Sequence, residues 1–495
     1  MRVVLISTYE LGRPPFGLAS PAAWLAARGF DVECFDLSRE VLREEALRGA
    51  GLVAFYLPMH TATRLAAQLI EPVRRIEPGA HICCYGLYAP VNEELLRGLG
   101  VRTILGGEFE EGLLQLAFRV DAGAGRAEQT QPAISLARQS FLVPRRAGLL
   151  PLEKYARVVM HGGAQRLAGY TEASRGCKHL CRHCPVVPVY AGTFRVVGRE
   201  VVLADVRQQV AAGAQHITFG DPDFFNGPAH ALAIVEEMHR EFPGLSYDAT
   251  IKIEHLLKHA GELRGLRDTG CLFVTSAVES VDDAILVRLD KGHTRADFLE
   301  VARHFCELGM TLQPTFVPFT PWTTLNGYRE LLRVIAEAEL VEHVAPIQLA
   351  IRLLIPEGSR LLELADVRDM VGAFDREALA YPWRHADARV DELQRGVQAA
   401  VEQSEREKLG RSESFARIWR AAAEVAADAN RAANWEPRPG ARAEVPHLDE
   451  PWYCCAEPTR EQFVSIAAGG ITPCKGPASP LAENARVEPR VDGFV

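Results

Sequence analysis

Twice along its 495 residues the chain alternates short apolar runs with amphipathic stretches. A chain patterned this way closes into parallel sheets with helices laid over them. The first set of runs covers 3–6, 32–35, 52–56, 81–85 and 103–105, with helical stretches around 20–28 and 61–76. Pro72 stands in the second helical stretch and is expected to kink or interrupt it. The pattern predicts an α/β fold that begins with a doubly wound, Rossmann-like domain over 1–120, whose ligand crevice lies at the carboxyl ends of the strands. Residues 121–165 have weak periodicity and read as a linker. The alternation then returns over 166–362, with strands expected at 170–173, 216–219, 246–251, 272–278, 311–317 and 347–354. Helical stretches fall between them. In barrels of parallel strands, chemistry gathers at the carboxyl ends. Residues 363–433 are charged and helical, and the Pro-rich stretch 434–450 opens a Cys-containing tail that runs to 495.

A hydrophobic content of 48% and a charged content of 24% are those of a globular protein. The net charge of −9 offers no electrostatic footprint for nucleic acid. No apolar run reaches the about 18 residues that span a membrane. The start, MRVVLIS, reads as a first strand and is too short for a signal peptide. Eleven cysteines without an export signal point to a reducing cytoplasm and to ligand or reactive roles.

Three of these cysteines follow the first strand of the second set. Cys177, Cys181 and Cys184 stand at the spacing C-x-x-x-C-x-x-C within TEASRGCKHLCRHC, residues 171–184. A [4Fe–4S] cluster is normally held by four thiolates, so three in one loop hold three irons and leave the fourth open. The alternative is zinc, which takes four ligands, here with His179 and His183 to complete a tetrahedron. No second C-x-x-C pair exists to make a structural zinc site. Cys83 and Cys84 fall within an expected strand, where small core residues are the natural reading.

The cysteine triplet resembles the signature of the radical S-adenosylmethionine (SAM) superfamily. The resemblance implies a partial (β/α)6 radical SAM barrel over 166–362, a [4Fe–4S] cluster on Cys177, Cys181 and Cys184, and SAM chelating the open iron. It implies reductive cleavage of a carbon–sulfur bond of SAM, with a donor such as flavodoxin or ferredoxin supplying the electron. His183 stands where the family usually has a larger aromatic against the adenine. After the second strand, FGDPDFFN places Asp221 and Asp223 at the mouth. Asp221 is a candidate for the amino group of SAM, and capping of the next helix is the other reading. After the fourth strand, Glu279 and Ser280 resemble a Val-Glu-Ser segment near the ribose or amino-acid end of SAM, and Lys291-Gly292-His293-Thr294 resembles the family as well. Lys252 and Glu254 follow the third strand and face either the mouth or solvent. On the sixth strand, Gln348 and Arg352 are four apart and so share a face. Arg352 is the candidate for the SAM carboxylate, or else part of a barrel-interior salt bridge. Residues 1–120 resemble the cobalamin-binding-type domain that precedes many such barrels. The loop after its first strand, STYELGRPPFG, contains no histidine. That leaves cobalamin without a histidine ligand, or a domain kept for architecture.

The tail carries PWYCCAEPTREQ at 451–462 and GGITPCKG at 469–476. The Cys-Cys-Ala-Glu-Pro motif resembles the CUAEP/CCAEP-tail group of radical SAM proteins. Soft thiolates favour thiophilic partners, and Cys454, Cys455 and Cys474 together could bind trivalent arsenic. A redox disulfide, a zinc site, a second cluster or plain packing are the other readings. The architecture and thiol tail also resemble enzymes of arsinothricin biosynthesis. That resemblance implies transfer of the 3-amino-3-carboxypropyl group of SAM to trivalent arsenic, with arsenite as a small-molecule substrate. A 5′-deoxyadenosyl-radical enzyme acting on an organic substrate, with cobalamin carrying a methyl group, and a non-catalytic iron–sulfur or metalloid-binding protein are the alternatives. Neither a nucleic-acid nor a membrane partner is expected.

Overall fold

A computed structural model describes residues 1–123, 133–425 and 445–450, together with the backbone of 471–472. Two parallel sheets organise it. The first has strands β1 (Arg2–Ser7), β2 (Asp31–Asp36), β4 (Ala50–Tyr56), β5 (His81–Tyr85), β6 (Thr103–Gly107) and β7 (Ile134–Ser135) in the order β2-β1-β4-β5-β6-β7. A two-residue strand, β3 (Leu42–Arg43), lies outside this sheet. Helices cover both faces, which is why the strands read as continuous apolar runs rather than alternating ones. Cys83 faces the core shared with helices Phe16–Ala26 and Glu110–Asp121, and Cys84 faces the opposite core under helix His60–Ile76. Both are pure packing residues, and burial pushes the Cys83 and Cys84 thiols far up. Pro72 stands inside helix His60–Ile76 without ending it. The strand order reverses between β1 and β4, so the crevice of this sheet lies beyond Ser7 and Tyr56.

The second sheet has the order β15-β14-β13-β12-β9-β8-β16. Strands β9 (Gln165–Thr171), β12 (His216–Phe219), β13 (Ser246–Thr250), β14 (Cys271–Glu279) and β15 (Thr311–Phe316) are parallel and curl into a half-barrel. Strands β8 (Arg157–Val159) and β16 (His447–Leu448) extend it with antiparallel pairs. A sixth strand does not form at 347–354. Pro346 opens a 3-10 turn, Pro346–Leu349, and one bridge between Phe319 and Arg352 is all that continues the sheet. Proline has no N–H to give to a ladder and favours the start of such a turn. The stretch read as a linker carries the edge strand β7 of the first sheet and strand β8 of the second, and its Arg146 pairs with Asp205 at 2.7 Å. Helices Ala388–Arg406 and Arg411–Val425 bury Val390, Leu393, Val397, Phe415 and Ile418 in the same core as the barrel helices. Among the described residues no helix is long and apolar enough to cross a membrane.

Candidate active site

The cysteine loop hangs from the carboxyl end of β9. The chain turns at Glu172 and Ala173, forms the short strand β10 (Ser174–Gly176) paired with β11 (Phe194–Val196), and enters the loop at Cys177. Gly176 has φ +75°, and a Cβ there would lie 2.4 Å from Tyr190 and 2.5 Å from the Thr193 carbonyl, so only glycine fits. Asp221, just past β12, fastens this turn. Its carboxylate accepts from the Ala173 N–H at 2.9 Å and the Ser174 hydroxyl at 2.6 Å. Burial pushes its carboxyl up to about 7. The expectation that Asp221 meets the amino group of SAM is therefore corrected, because both oxygens already hold the loop. Asn226 does the same work. Its amide donates to the Gly176 carbonyl at 3.1 Å and its oxygen accepts from the Lys178 N–H at 3.2 Å. Nothing in its sequence position beyond the FGDPDFFN segment marked it.

The three thiols lie close enough to disfavour one another's ionisation. Burial raises Cys177 to about 11, with Asp223 and Cys181 adding to it. Burial raises Cys184 to about 12, with Cys181 and Cys177 adding to it. Such a set is stabilised as thiolates by the positive charge of bound iron, so the residues fit an iron–sulfur cluster. Lys291 supplies further positive charge. It is 3% exposed, acts on both Cys181 and Cys184, and sits 3.3 Å from Glu279. Glu279 ends β14 at φ +68°, a left-handed conformation that costs a non-glycine residue about 1–3 kcal/mol. That backbone turns its carboxylate onto His183 Nε2 at 3.0 Å as well as onto Lys291. Burial alone would raise Glu279, but Lys291 and the His183 contact draw it down to about 2. Lys291 was legible only as part of a family-like segment, since a lysine after a helix ordinarily reads as solvated.

His179 turns the other way, toward His255 with their Nε2 atoms 3.2 Å apart. Both histidines that would complete a zinc tetrahedron with the cysteines are thus engaged by other side chains. Lys252 and Glu254 pair at 3.1 Å and meet His179 Nδ1 at 3.2 and 3.5 Å, so they face the mouth. The Ser280 hydroxyl accepts from the Asp282 N–H. Gln348 is buried, and its side chain accepts from the Phe316 N–H at 3.2 Å. Arg352 leaves the interior. Its guanidinium donates to Asp391 at 2.7 Å and to the Trp383 carbonyl at 2.8 Å, stacked 3.5 Å over the Trp383 ring. The expectation that Arg352 meets the SAM carboxylate is corrected for the same reason that the sixth strand fails. Gln348 lies in the 3-10 turn and Arg352 beyond it, and their side chains reach different partners. Cys454, Cys455 and Cys474 lie outside the described residues.

Below the mouth the half-barrel holds a polar floor. His216 bonds Asp248 at 2.8 Å and Ser246 at 2.9 Å, and Thr218 donates to Asp248 at 2.6 Å. A small cavity above Asp248 is lined by Arg13, Thr275, Gln313, Gln348 and Glu450. Glu450 accepts from Tyr9 at 3.1 Å and pairs with Arg39 at 3.2 Å. Strand β17 (Ile471–Thr472) pairs with β3.

The carboxyl ends of the central strands of the first sheet are filled, and a cavity of about 170 Å3 remains beyond β6, lined by Gly106, Glu108, Phe109, Ser135 and Gln139. Tyr56, Tyr85 and Phe109 pack with ring centroids 5.0 to 5.8 Å apart, and Tyr85 donates to the Gly17 carbonyl. Arg175 crosses from the barrel into this edge. It pairs with Glu110 at 2.6 Å, Glu172 at 2.7 Å and Glu108 at 3.7 Å, among the rings of Phe16, Phe109 and Phe141.

Residues 171–332 match the family described as the Radical SAM superfamily. Two curated relatives cover about a third of this chain. The ribosomal protein uS12 methylthiotransferase RimO of Geobacter sulfurreducens is 27% identical over 180 residues, 34% of this chain and 40% of the relative. The tRNA-2-methylthio-N(6)-dimethylallyladenosine synthase of Desulfosudis oleivorans is 26% identical over 186 residues, 34% of this chain and 38% of the relative. The match therefore spans about two fifths of each relative's length. Among solved structures, the cobalamin-dependent S-adenosylmethionine radical enzyme OxsB superposes with a TM-score of 0.65 at 14% identity, over 81% of this chain and 66% of that one. The radical S-adenosylmethionine methyltransferase TsrM from Kitasatospora setae superposes with a TM-score of 0.56 at 17% identity, over 74% of this chain and 76% of that one. These likenesses are of fold.

Proposed function

The chain carries a radical SAM superfamily domain over residues 171–332, and from that premise we propose that it is a transferase that cleaves SAM reductively and passes a carbon fragment to a soft acceptor. The observation that carries the reading is the group of three mutually close thiols, Cys177, Cys181 and Cys184, beside the buried Lys291 at the carboxyl end of a half-barrel. When bound, a [4Fe–4S] cluster on these thiolates would supply the electron that breaks a carbon–sulfur bond of SAM. Lys291 offsets the negative charge gathered there. Glu279 and Ser280 would contact the ribose or amino-acid end of bound SAM. A ferredoxin or flavodoxin is the electron donor.

Trivalent arsenic is the acceptor this reading favours, held by Cys454, Cys455 and Cys474 in the form of arsenite-derived thiolates. The Cγ–S bond of SAM would break as it takes up one electron, methylthioadenosine would leave, and the freed alkyl radical would bond to arsenic, which gives up one electron in turn, so that arsenic passes from the trivalent to the pentavalent state with no net electron consumed. Two described points on either side of the adjacent cysteines support a tail held against the first domain. Glu450, four residues before Cys454, is bonded to Tyr9 and Arg39, and Thr472, two residues before Cys474, is paired with Arg43. The test is product formation by Cys455→Ser. Loss of product with iron content unchanged is expected, and undiminished product would refute the role of the tail.

A second reading adds cobalamin and methyl transfer to an organic substrate, and the shared fold of the first sheet favours it. The side chains at that edge do not fit a corrin as they stand, because Tyr56, Tyr85, Phe109 and the Arg175 ion pairs occupy it. Cobalamin therefore has no part in the favoured reading.

A further inference from the structure

We infer that His179, Asp223 and His255 form a mononuclear site for a divalent transition cation, Zn2+ or Fe2+, beside the cysteine loop and distinct from it. The three residues come from different elements. His179 lies between the first two cysteines of the loop, Asp223 caps the turn Phe224–Asn226, and His255 lies on helix Ile253–Lys258 after the third barrel strand. Asp223 and His255 are each 1% exposed. All three ligand atoms lie within 4.8 Å of one another.

The spacings suit an ion. Two imidazole nitrogens on a tetrahedral cation with bonds of about 2.0–2.1 Å stand about 3.3 Å apart. His179 Nε2 and His255 Nε2 are 3.2 Å apart, and His179 Nε2 is 3.5 Å from Asp223 Oδ2. Asp223 Oδ2 also lies 2.6 Å from His255 Nδ1, yet neither atom makes a hydrogen bond of acceptable direction. An ordinary N–H···O bond is longer than this and better aimed. The second oxygen of Asp223 is fixed by the Phe225 N–H at 3.1 Å, which orients the carboxylate toward the two rings. On the far side of His179, Nδ1 lies 3.2 Å from Lys252 Nζ and 3.5 Å from Glu254, and this ion pair holds the ring in place. Lys252 is the nearest competing cation, and Glu254 pairs with it at 3.1 Å.

Two imidazoles and one carboxylate select a borderline first-row cation rather than calcium, magnesium or arsenic. Bound there, the ion ties the first turn of the cysteine loop to the ends of the second and third strands. It also replaces the negative field of Asp223 at Cys177 with a positive one.

The test separates this site from both sets of cysteines. Full-length protein with Cys177, Cys181 and Cys184 changed to serine is titrated with Co2+. One equivalent is expected to bind with visible d–d absorption and no thiolate-to-cobalt charge transfer. Adding His255→Ala or Asp223→Ala should weaken that binding about 10- to 100-fold. A spectrum dominated by thiolate charge transfer, or binding unmoved by His255→Ala, overturns the proposal. Should the triple variant fail to fold, reconstituted wild-type protein and His255→Ala are compared for zinc and iron. Loss of about one non-cluster metal per chain in His255→Ala with sulfide unchanged is expected, and equal metal content in the two overturns it.

Discussion

The two sheets are built alike and end differently. Each has a parallel core and each presents a carboxyl edge where ligands of α/β proteins usually lie. At the first sheet that edge is filled by Tyr56, Tyr85 and Phe109 and sealed by Arg175 among three carboxylates. At the half-barrel the edge carries three thiols, a buried lysine, the His179–His255 pair and the His183–Glu279 pair. Shared architecture thus offers a crevice twice, and side chains decide which crevice does chemistry. The first sheet positions the second, because Arg175 belongs to the strand that leads directly into Cys177.

Cysteine substitutions should break the comparison most sharply. Cys181→Ser is expected to abolish iron binding and SAM cleavage, whereas Cys83→Ser at the first sheet should keep full iron content and lose only stability. Metal analysis with visible absorption decides between them. Lys291→Met should retain iron yet cleave SAM about 10- to 100-fold more slowly, as supporting residues around metal sites do. Equal rates would mean that Lys291 is only packed.

Arg175→Met tests the other edge. It leaves Glu108, Glu110 and Glu172 buried without their cation, which costs about 3–5 kcal/mol. Denaturant unfolding reads this as a lower midpoint, and iron bound per folded chain should hold steady. A smaller effect is expected from pH. Burial raises Glu108 to about 7 from its ordinary 4.5, so the folded state binds the extra proton. Its contribution is full below pH 4.5 and is lost as pH rises through 7. Glu108→Gln should flatten stability over that window. Glu279 runs oppositely. Its carboxyl is held down to about 2, so its contribution is full above 4.5 and is lost only as pH falls toward 2.

Much of this was legible in the chain. Apolar runs of three to seven residues marked the strands, because sheets covered on both faces need them. The cysteine spacing marked the loop. The sixth strand was misread because IQLAIRLL has strand-like composition while the preceding Pro346 starts a turn. Arg352 was misassigned with it. Asp221 was placed at the mouth, but a short carboxylate beside a tight turn found the turn's donors first. Lys291, His255 and Asn226 belong to separate stretches and acquire meaning only where folding brings them against the loop. The polar floor of His216 and Asp248 was invisible for the same reason, since the two are 32 positions apart.

The central claim is that the half-barrel cleaves SAM and passes its carbon fragment to a soft acceptor. Mass spectrometry of the SAM fragments, after anaerobic reconstitution and reduction with and without arsenite, tests it directly. The account predicts methylthioadenosine together with an arsenic-bearing aminocarboxypropyl product, formed only when arsenite is present. 5′-Deoxyadenosine alone, in amounts indifferent to arsenite, would contradict it.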